Sequence, residues 1–420
     1  MRTTEQADCV IVGAGIGGAV LALALGRHGH RVLILEREPT LQRLGRPEIL
    51  ARSTVEAFER LGLDARLHEQ AIMPLKGLAI RDPRGHRLLT ITEEDITQAG
   101  VQPYSTDPAE TRRLLIEQAQ AAGSVQVRRG VEVLELVRNG SWVRGVRART
   151  DGEVQTYAAR LVIGDDGGRS RVRAALGIPL PLRPFPVDFL VPAQPIREPS
   201  PPVGRAWLDP AGLAGGFGAC IVMPLPAGRS AMAVVHRPRL YDRLSRSDVG
   251  QFQQAAARLG SECAALMSHA AFPGGWVPIR RPFGHAARYV ADGAALLGDA
   301  AHPVTPAGGQ GANMSVADAL VLAEVAHEAL VKGDCSAASL QPYEDIRRPA
   351  NARSLQFSRI GKRFLGAFSA LPGFAQAITW LIRRNDRPEQ KRRLLRAAAG
   401  AFVSSADTRA ACATRPDERQ

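Results

Sequence analysis

The sequence predicts an α/β protein: a nucleotide-binding domain of alternating strands and helices, interrupted by a mainly β-sheet second domain and followed by C-terminal helices. Three observations predict it. Near the N-terminus a strand, a Gly-x-Gly-x-x-Gly loop, a helix, a second strand and an acid occur in that order. In the middle of the chain a strand ends in Asp-Gly and leads into an arginine-rich helix. Around residue 300 a third apolar strand runs into a loop of Gly and Pro and then an apolar helix.

The first element is the strand Asp8–Val12, followed by Gly13-Ala14-Gly15-Ile16-Gly17-Gly18, an Ala/Leu helix to Gly26 and a strand Arg31–Leu35 closed by Glu36 and Arg37. Gly13 makes the tight turn, Gly15 lets the backbone approach a pyrophosphate, and Gly18 permits close helix-to-strand packing. Glu36 stands about 20 residues on, where an acid accepts hydrogen bonds from an adenosine ribose. The apolar run Cys9–Leu25 also invites reading as a signal anchor. Only Arg2 supplies basic charge ahead of it and glycines crowd Gly13–Gly18, so a nucleotide loop explains it better than a membrane span.

In the second element, Leu161–Gly164 is an apolar strand, Asp165-Asp166-Gly167-Gly168 a turn, and Ser170 the cap of a helix carrying Arg171 and Arg173. Taken alone this is a strand-turn-helix. In the third, Ala294–Leu297 runs into Gly298-Asp299, then His302, Pro303 and Pro306, then Gly308, Gly309 and Gly311, and a helix from about Gly311 to Leu330. The glycines let backbone amides come close to a flat ligand, and a helix start favours an anion such as a reduced flavin. Asp299, at the strand's carboxyl end, can bond a ribityl or ribose hydroxyl.

Taken together, Gly13-x-Gly15-x-x-Gly18, Gly164-x-Asp166-Gly167-x-x-Ser170 and Gly298-Asp299-Ala300-Ala301-His302-x-x-x-Pro306-x-x-Gly309-x-Gly311-x-Asn313 resemble the single-component FAD-dependent monooxygenases of the aromatic, p-hydroxybenzoate hydroxylase-like type. Tyr343-Glu344-x-x-Arg347 with Pro349 matches that family's closing helix, so the resemblance spans about the first 350 residues. It implies a Rossmann-like, three-layer ββα FAD domain. The implied FAD contacts are Gly13, Gly15, Ile16, Gly17, Gly18, Glu36, Arg37, Arg46, Arg112 (with Arg113 as the alternative), Val133, Asp166, Gly167, Gly298, Asp299, Gly309, Gly311, Ala312 and Asn313. NADH or NADPH would dock transiently to reduce the FAD, with the Asp166-Gly167 segment as the family's usual aid, and a flavin hydroperoxide would pass one oxygen atom to the substrate. Pro306 would wall the oxygen-reactive face. His302 is the other candidate catalytic residue, although its counterpart usually shapes the flavin pocket.

The resemblance and two hairpin signals divide the chain into FAD-binding segments 1–74, 100–179 and 281–350, substrate-domain segments 75–99 and 180–280, a helical segment 351–403 and a tail, 404–420, expected to be disordered. The hairpins are Gly77–Asp82 with Arg87–Thr92, about the turn Asp82-Pro83-Arg84-Gly85, and Gly216–Pro224 with Ser230–His236, about Pro226-Ala227-Gly228. His236, Tyr241 and Tyr104 are candidates to face substrate, and nothing in the sequence selects among them. In the C-terminal segment Phe357, Ile360, Phe364, Phe368, Leu371, Phe374, Ile378 and Leu381 recur at helical spacing among Arg359, Lys362, Arg363, Arg383, Arg384 and Arg387. The plainer reading packs these helices on the body; the sharper one rests them on anionic lipid at the inner membrane face.

Composition narrows the partners. The net charge of +13 comes almost wholly from arginine, with lysine only at 76, 332, 362 and 391, a bias that base composition alone can produce. No basic stripe interleaved with aromatics is present, so no nucleic-acid partner is expected. Cys9, Cys220, Cys263, Cys335 and Cys412 form neither a Cys-x-x-Cys pair nor a metal spacing; no metal is expected, and a reducing cytoplasm is the expected home. The expected partners are O2 and a small aromatic or lipophilic substrate: a phenol, a quinone precursor, or a quinolone- or polyketide-like ring to be hydroxylated or epoxidised. Two alternatives stand beside this. One is an FAD-dependent reductase or dehydrogenase of a polyprenyl chain, the other a basic FAD-binding adaptor without activity. A flavin halogenase is disfavoured, because Gly274-Gly275-Trp276-Val277-Pro278-Ile279 lacks that family's second tryptophan.

Overall fold

The computed structural model describes residues 5–401 apart from 42–43, 64, 210, 215, 247–248, 307–308 and 371–373. Gly308, Leu371, Cys412 and the 404–420 tail lie outside the described residues, as do the side chains of Phe357, Phe364, Phe368, Phe374 and Ile378.

Five parallel strands carry the first half of the fold. Glu5–Val12 lies between Val32–Glu36 and Glu153–Gly164, Ala294–Leu296 adds beyond Glu153–Gly164, and Val125–Arg129 closes the far edge. Their central residues, among them Cys9, Val10, Ile11, Ile34, Leu161, Val162 and Ile163, are buried, as expected of strands covered on both faces. Helices Ile16–Arg27 and Gly311–Lys332 pack on the sheet and on each other. The strand Glu153–Gly164 is long enough to serve twice: its first half also pairs antiparallel with Trp142–Thr150, which pairs with Glu132–Asn139. This antiparallel meander beside a parallel sheet and its helices is the Rossmann-like, ββα arrangement expected. Parallel pairing sets the carboxyl ends of Glu5–Val12, Val32–Glu36, Glu153–Gly164 and Ala294–Leu296 side by side, which is where open α/β sheets receive ligands.

The second sheet runs Trp276–Ile279, Asp188–Pro192, Arg229–His236, Phe217–Leu225, Val203–Leu208, Gly77–Arg81, Arg87–Ile91. Both expected hairpins are present, as Gly77–Arg81 with Arg87–Ile91 and Phe217–Leu225 with Arg229–His236. Strands Asp188–Pro192 and Val203–Leu208, in and beyond the proline-dense stretch, escape the sequence reading. So do the helices Leu240–Leu244, Val249–Ala257 and Ser261–Met267. These helices cover one face of the sheet through Trp207, Phe217, Phe252, Met267 and Trp276. The other face meets the first half of the molecule, and Arg229 ties the two by an ion pair of 2.6 Å to Asp107, the cap of helix Pro108–Ala121.

The C-terminal helices Phe374–Arg384 and Pro388–Ala401 pack on the hairpin 77–91 and on helix Glu93–Ala99. Lys391 is buried there, donating to Asp95 at 2.6 Å and to the Thr90 carbonyl at 3.0 Å. Trp380 nevertheless stands 59% exposed, with Ile360 and Leu381 also at the surface. No described helix is long and apolar enough to cross a membrane.

Candidate cofactor and substrate site

Three loops meet at the aligned strand ends. Gly13 has φ +102°, a region that other residues enter only with strain, and a Cβ on it would lie 2.4 Å from the Asp165 carbonyl oxygen. A Cβ on Gly15 would lie 2.4 Å from Asp165 Oδ2, and one on Gly17 would press on Leu297 and the Ser315 carbonyl. The three loops are therefore packed against one another at the glycines, and the N-terminus of helix Ile16–Arg27 opens into the space between them. No side chain of its own turn caps that helix. Asp165 takes the Gly18 amide, and the remaining amides of the first turn can receive an anion.

Glu36 stands at the end of its strand beside this loop: its Oε2 accepts from the Ala14 amide at 2.8 Å and its Oε1 from the Glu38 amide at 2.9 Å. Both oxygens keep a lone pair for ribose hydroxyls. Arg37 points outward to Glu38. Arg112 and Arg113 separate cleanly. Arg113 is spent on Glu110, Glu117 and Gln70, whereas Arg112 lies among Arg46, Glu48, Glu36 and Asp165. Burial, reinforced by Arg46, lowers the Arg112 pKa from its ordinary value. Arg46 itself pairs with Glu48 at 2.7 Å. Val133 is buried, and its carbonyl accepts from Arg171 at 3.0 Å.

The two aspartates of the middle loop divide the work. Asp166 Oδ2 accepts from the Arg171 and Val172 amides at 2.6 and 3.1 Å, capping the short helix that Ser170 also caps; its Oδ1 is buried without a partner. Gly167 takes φ +77° in open space. Asp165, which the sequence reading passes over, turns the other way and accepts from the Gly18 amide at 2.9 Å. A signal for it existed: Val12 pairs with Gly164, so the next residue of that strand must fall beside Gly13.

In the third loop Gly298 has φ +58° and Gly309 φ +64°. Asp299 forms a close ion pair with Arg281. Pro306 is exposed, and helix Gly311–Lys332 begins just beyond, with Gly311 and Ala312 in its first turn. Asn313 is buried and spends its side chain on scaffold: Oδ1 accepts from the Ala51 amide and Thr54 hydroxyl at 2.9 and 2.8 Å, and Nδ2 donates to the Ile49 and Gly309 carbonyls. It holds the segment after Arg46 against the ring-end loop.

His302 is also inside the scaffold. Its Nε2 meets Asp318, which takes Arg347 Nε at 2.7 Å and Asn351 Nδ2 at 2.9 Å on its other oxygen; Asn351 reaches Tyr289, and Tyr289 bonds His285 at 2.6 Å. Burial alone would raise the Asp318 pKa, but the charges and hydrogen bonds of His302 and Arg347 bring it down to about 2. A lone acid in the apolar run 314–323 is the signal that such a partner set existed.

Above the third loop the second sheet presents an apolar layer. Phe189, Val235 and Ile279 of its strands pack with Phe185, Val187, Phe283, Val304, Met314 and Leu355. Alternation puts His236 on the opposite face, against Phe217, where burial lowers its pKa to about 4. Tyr241 donates to the carbonyls of Pro273 and Trp276 beside Phe272, and Tyr104 lies edge-on to His68. None of the three joins that layer.

Backbone cradles that a Cβ would fill, an acid at the second strand end and the half-buried Arg46 and Arg112 near them fit a long dinucleotide such as FAD. The FAD binding domain family matches residues 6–358. Rifampicin monooxygenase of Streptomyces venezuelae is 30% identical over 358 residues, covering 84% of this chain and 70% of that protein. Ubiquinone hydroxylase UbiL of Rhodospirillum rubrum is 28% identical over 362 residues, covering 83% and 79%. Among solved structures, PqsL of Pseudomonas aeruginosa in complex with 2-aminobenzoylacetate superposes with a TM-score of 0.72 at 26% identity, covering 89% of this chain and all of that one. The chain belongs to the FAD binding domain family, and within it to the FAD-dependent monooxygenases.

Proposed function

We propose that this monooxygenase uses NAD(P)H and O2 to hydroxylate or epoxidise an aromatic, quinone or quinolone/polyketide-like ring. The observation that supports it is the apolar layer in which Phe185, Phe189, Val235, Ile279 and Phe283 pack with Val304 and Met314 at the third loop, while His236, Tyr241 and Tyr104 make their contacts elsewhere. Apolar walls of this kind beside a flavin loop favour a flat, uncharged ring by area and shape. The named relatives, a rifampicin monooxygenase and a ubiquinone hydroxylase, support the same class.

Bound FAD supplies the redox chemistry with NAD(P)H and O2, which leaves the chain to bind, orient and keep out water. In this reading segments 1–74, 100–179 and 281–350 hold the cofactor, and 75–99 with 180–280 hold the substrate. Gly13, Gly15, Ile16, Gly17 and Gly18 receive the pyrophosphate; Glu36 and Arg37 lie at the adenosine end with Val133. Arg46 and Arg112 offset negative charge mid-groove, Asp166 and Gly167 shape the turn beside it, and Gly298 and Asp299 meet the ribityl chain. Gly309, Gly311, Ala312 and Asn313 lie at the ring end, where the start of helix Gly311–Lys332 favours negative charge, with Pro306 as a wall. His302 braces the loop through Asp318. The exposed Trp380, Ile360 and Leu381 beside Arg383, Arg384 and Arg387 support a further reading, peripheral contact of the C-terminal helices with anionic lipid.

The test is oxidation of NADPH and of NADH by the FAD-loaded protein against phenols, quinolones and prenylated quinones, with products identified by mass. A product heavier by one oxygen, labelled from ¹⁸O2, is expected. Anaerobic reduction of a carbon–carbon double bond would overturn the reading in favour of a reductase. Flotation with vesicles rich in anionic phospholipid tests the lipid contact, which fails if Trp380→Ala floats as well as the parent chain.

A further inference from the structure

The Asp165 carboxyl occupies the place where the first and third loops close on each other. Oδ2 accepts from the Gly18 amide at 2.9 Å, and a Cβ on Gly15 or Gly18 would come within 2.4 or 2.7 Å of it. Oδ1 faces the third loop, 3.4 Å from where a Cβ on Gly298 would sit. The backbone is pinned as well, with the Asp165 amide donating to the Val12 carbonyl at 2.8 Å.

An acid in this place conflicts with the cofactor. A helix N-terminus carries about half a positive charge, and a pyrophosphate arriving there brings about two negative ones. An ionised Asp165 would add another at the same helix end. Around it stand Asp166 and Asp299 as further acids, Tyr343, and Arg112 as a cation; Asp299 is itself occupied by Arg281. The geometry resolves the conflict if the carboxyl carries a proton. One oxygen then keeps the Gly18 amide, and the other becomes a donor facing the groove.

We propose that Asp165 is a positioning residue of the cofactor groove: protonated, it clasps the first and third glycine loops and offers a donor toward the FAD pyrophosphate, so that FAD binding takes up a proton and weakens as pH rises. Burial, with Asp166 and Asp299 adding to it, pushes the Asp165 pKa well above the usual carboxylate range even though the Gly18 and Gly15 amides oppose the shift. Loading raises it further. Affinity is therefore constant below the free protein's Asp165 pKa and falls as pH rises through it, up to about tenfold per pH unit. The proposal rests on FAD binding alone and stands whatever the substrate.

The experiment is titration of FAD into the apoprotein, followed by quenching of flavin fluorescence, from about pH 5.5 to about pH 9. The parent chain is compared with Asp165→Asn, whose amide accepts from Gly18 and donates to the groove at every pH. The expected result is a Kd that climbs with pH in the parent and stays flat in Asp165→Asn, near the parent's tightest value. Parallel pH profiles would overturn the proposal. Calorimetric titration of the parent in two buffers of different ionisation enthalpy gives the same answer without a variant: uptake of part of a proton supports the proposal, and zero uptake across the range overturns it.

Discussion

The groove at the parallel strand ends and the apolar layer beside it are built in opposite ways. The groove offers backbone: turns with positive φ, helix amides and loops too close for a Cβ. The layer is made of packed apolar side chains, Phe185, Phe189, Val235, Phe283 and Met314. Backbone recognition tolerates almost no substitution at the contact, because the peptide itself must fit. Side-chain recognition can be re-cut one residue at a time while the fold stays intact. One scaffold can thereby keep its cofactor and change its substrate.

The largest expected effect breaks the scaffold under the groove. Asp318 is buried with Arg347, Asn351 and His302 on its two oxygens. Asp318→Ala removes the buried carboxylate that pairs with Arg347 and His302, a change that costs about 3–5 kcal/mol when one partner of a buried pair is lost. Denaturant unfolding of the FAD-free protein measures it. A loss under about 1 kcal/mol would show that the network is decoration and that the groove is held by its glycines alone.

Next comes the groove itself. Gly13→Ala adds the strain of a left-handed conformation, about 1–2 kcal/mol, to a backbone overlap at 2.4 Å from the Asp165 carbonyl oxygen. FAD affinity should fall about a hundredfold, read from flavin content after gel filtration and from fluorescence titration. Full flavin occupancy with an unchanged Kd would mean that the loop has room to relax, and the contrast with the layer would weaken.

Substitution in the layer should do the reverse. Val235 lies partly buried against it. Val235→Phe is expected to change KM for a ring substrate about tenfold, a bulk effect of one to two kcal/mol, and to leave the FAD Kd within about twofold. An equal loss of both would show that the second sheet supports the cofactor as well as the substrate.

How much of this could be read from sequence follows the same divide. Gly13, Gly15, Gly18 and Glu36 announce themselves because only glycine meets the backbone demand and the acid follows at a set distance. Asp165 against Asp166 does not: adjacent residues on one turn point opposite ways, and only the pairing of Val12 with Gly164 decides which carboxyl meets Gly18. Asn313 reads from sequence as a ring contact; that its side chain also ties Ala51, Thr54 and Ile49 does not, because they are some 260 residues away and no local pattern encodes them. The second sheet is the least readable part. Asp188–Pro192 is buried on every residue and has no alternation to show, and the prolines around it mask its strand character.

The smallest effect lies inside the groove half and sharpens what backbone recognition means there. Arg37 follows Glu36, proposed above for the adenosine end, yet its side chain is 76% exposed and its guanidinium rests 3.2 Å from Glu38. An exposed pair of this kind is screened by water and salt. Arg37→Ala should therefore weaken FAD by less than about fivefold, the range of an exposed ion contact, and the effect should shrink as salt rises. Arg112, held among Arg46, Glu36 and Asp165 away from solvent, should respond far more steeply to the same replacement. If Arg37→Ala instead costs more than tenfold and the loss persists in high salt, the guanidinium must fold onto the bound dinucleotide. The adenosine end would then be read by a side chain, and the division between the two regions would run through the groove rather than above it.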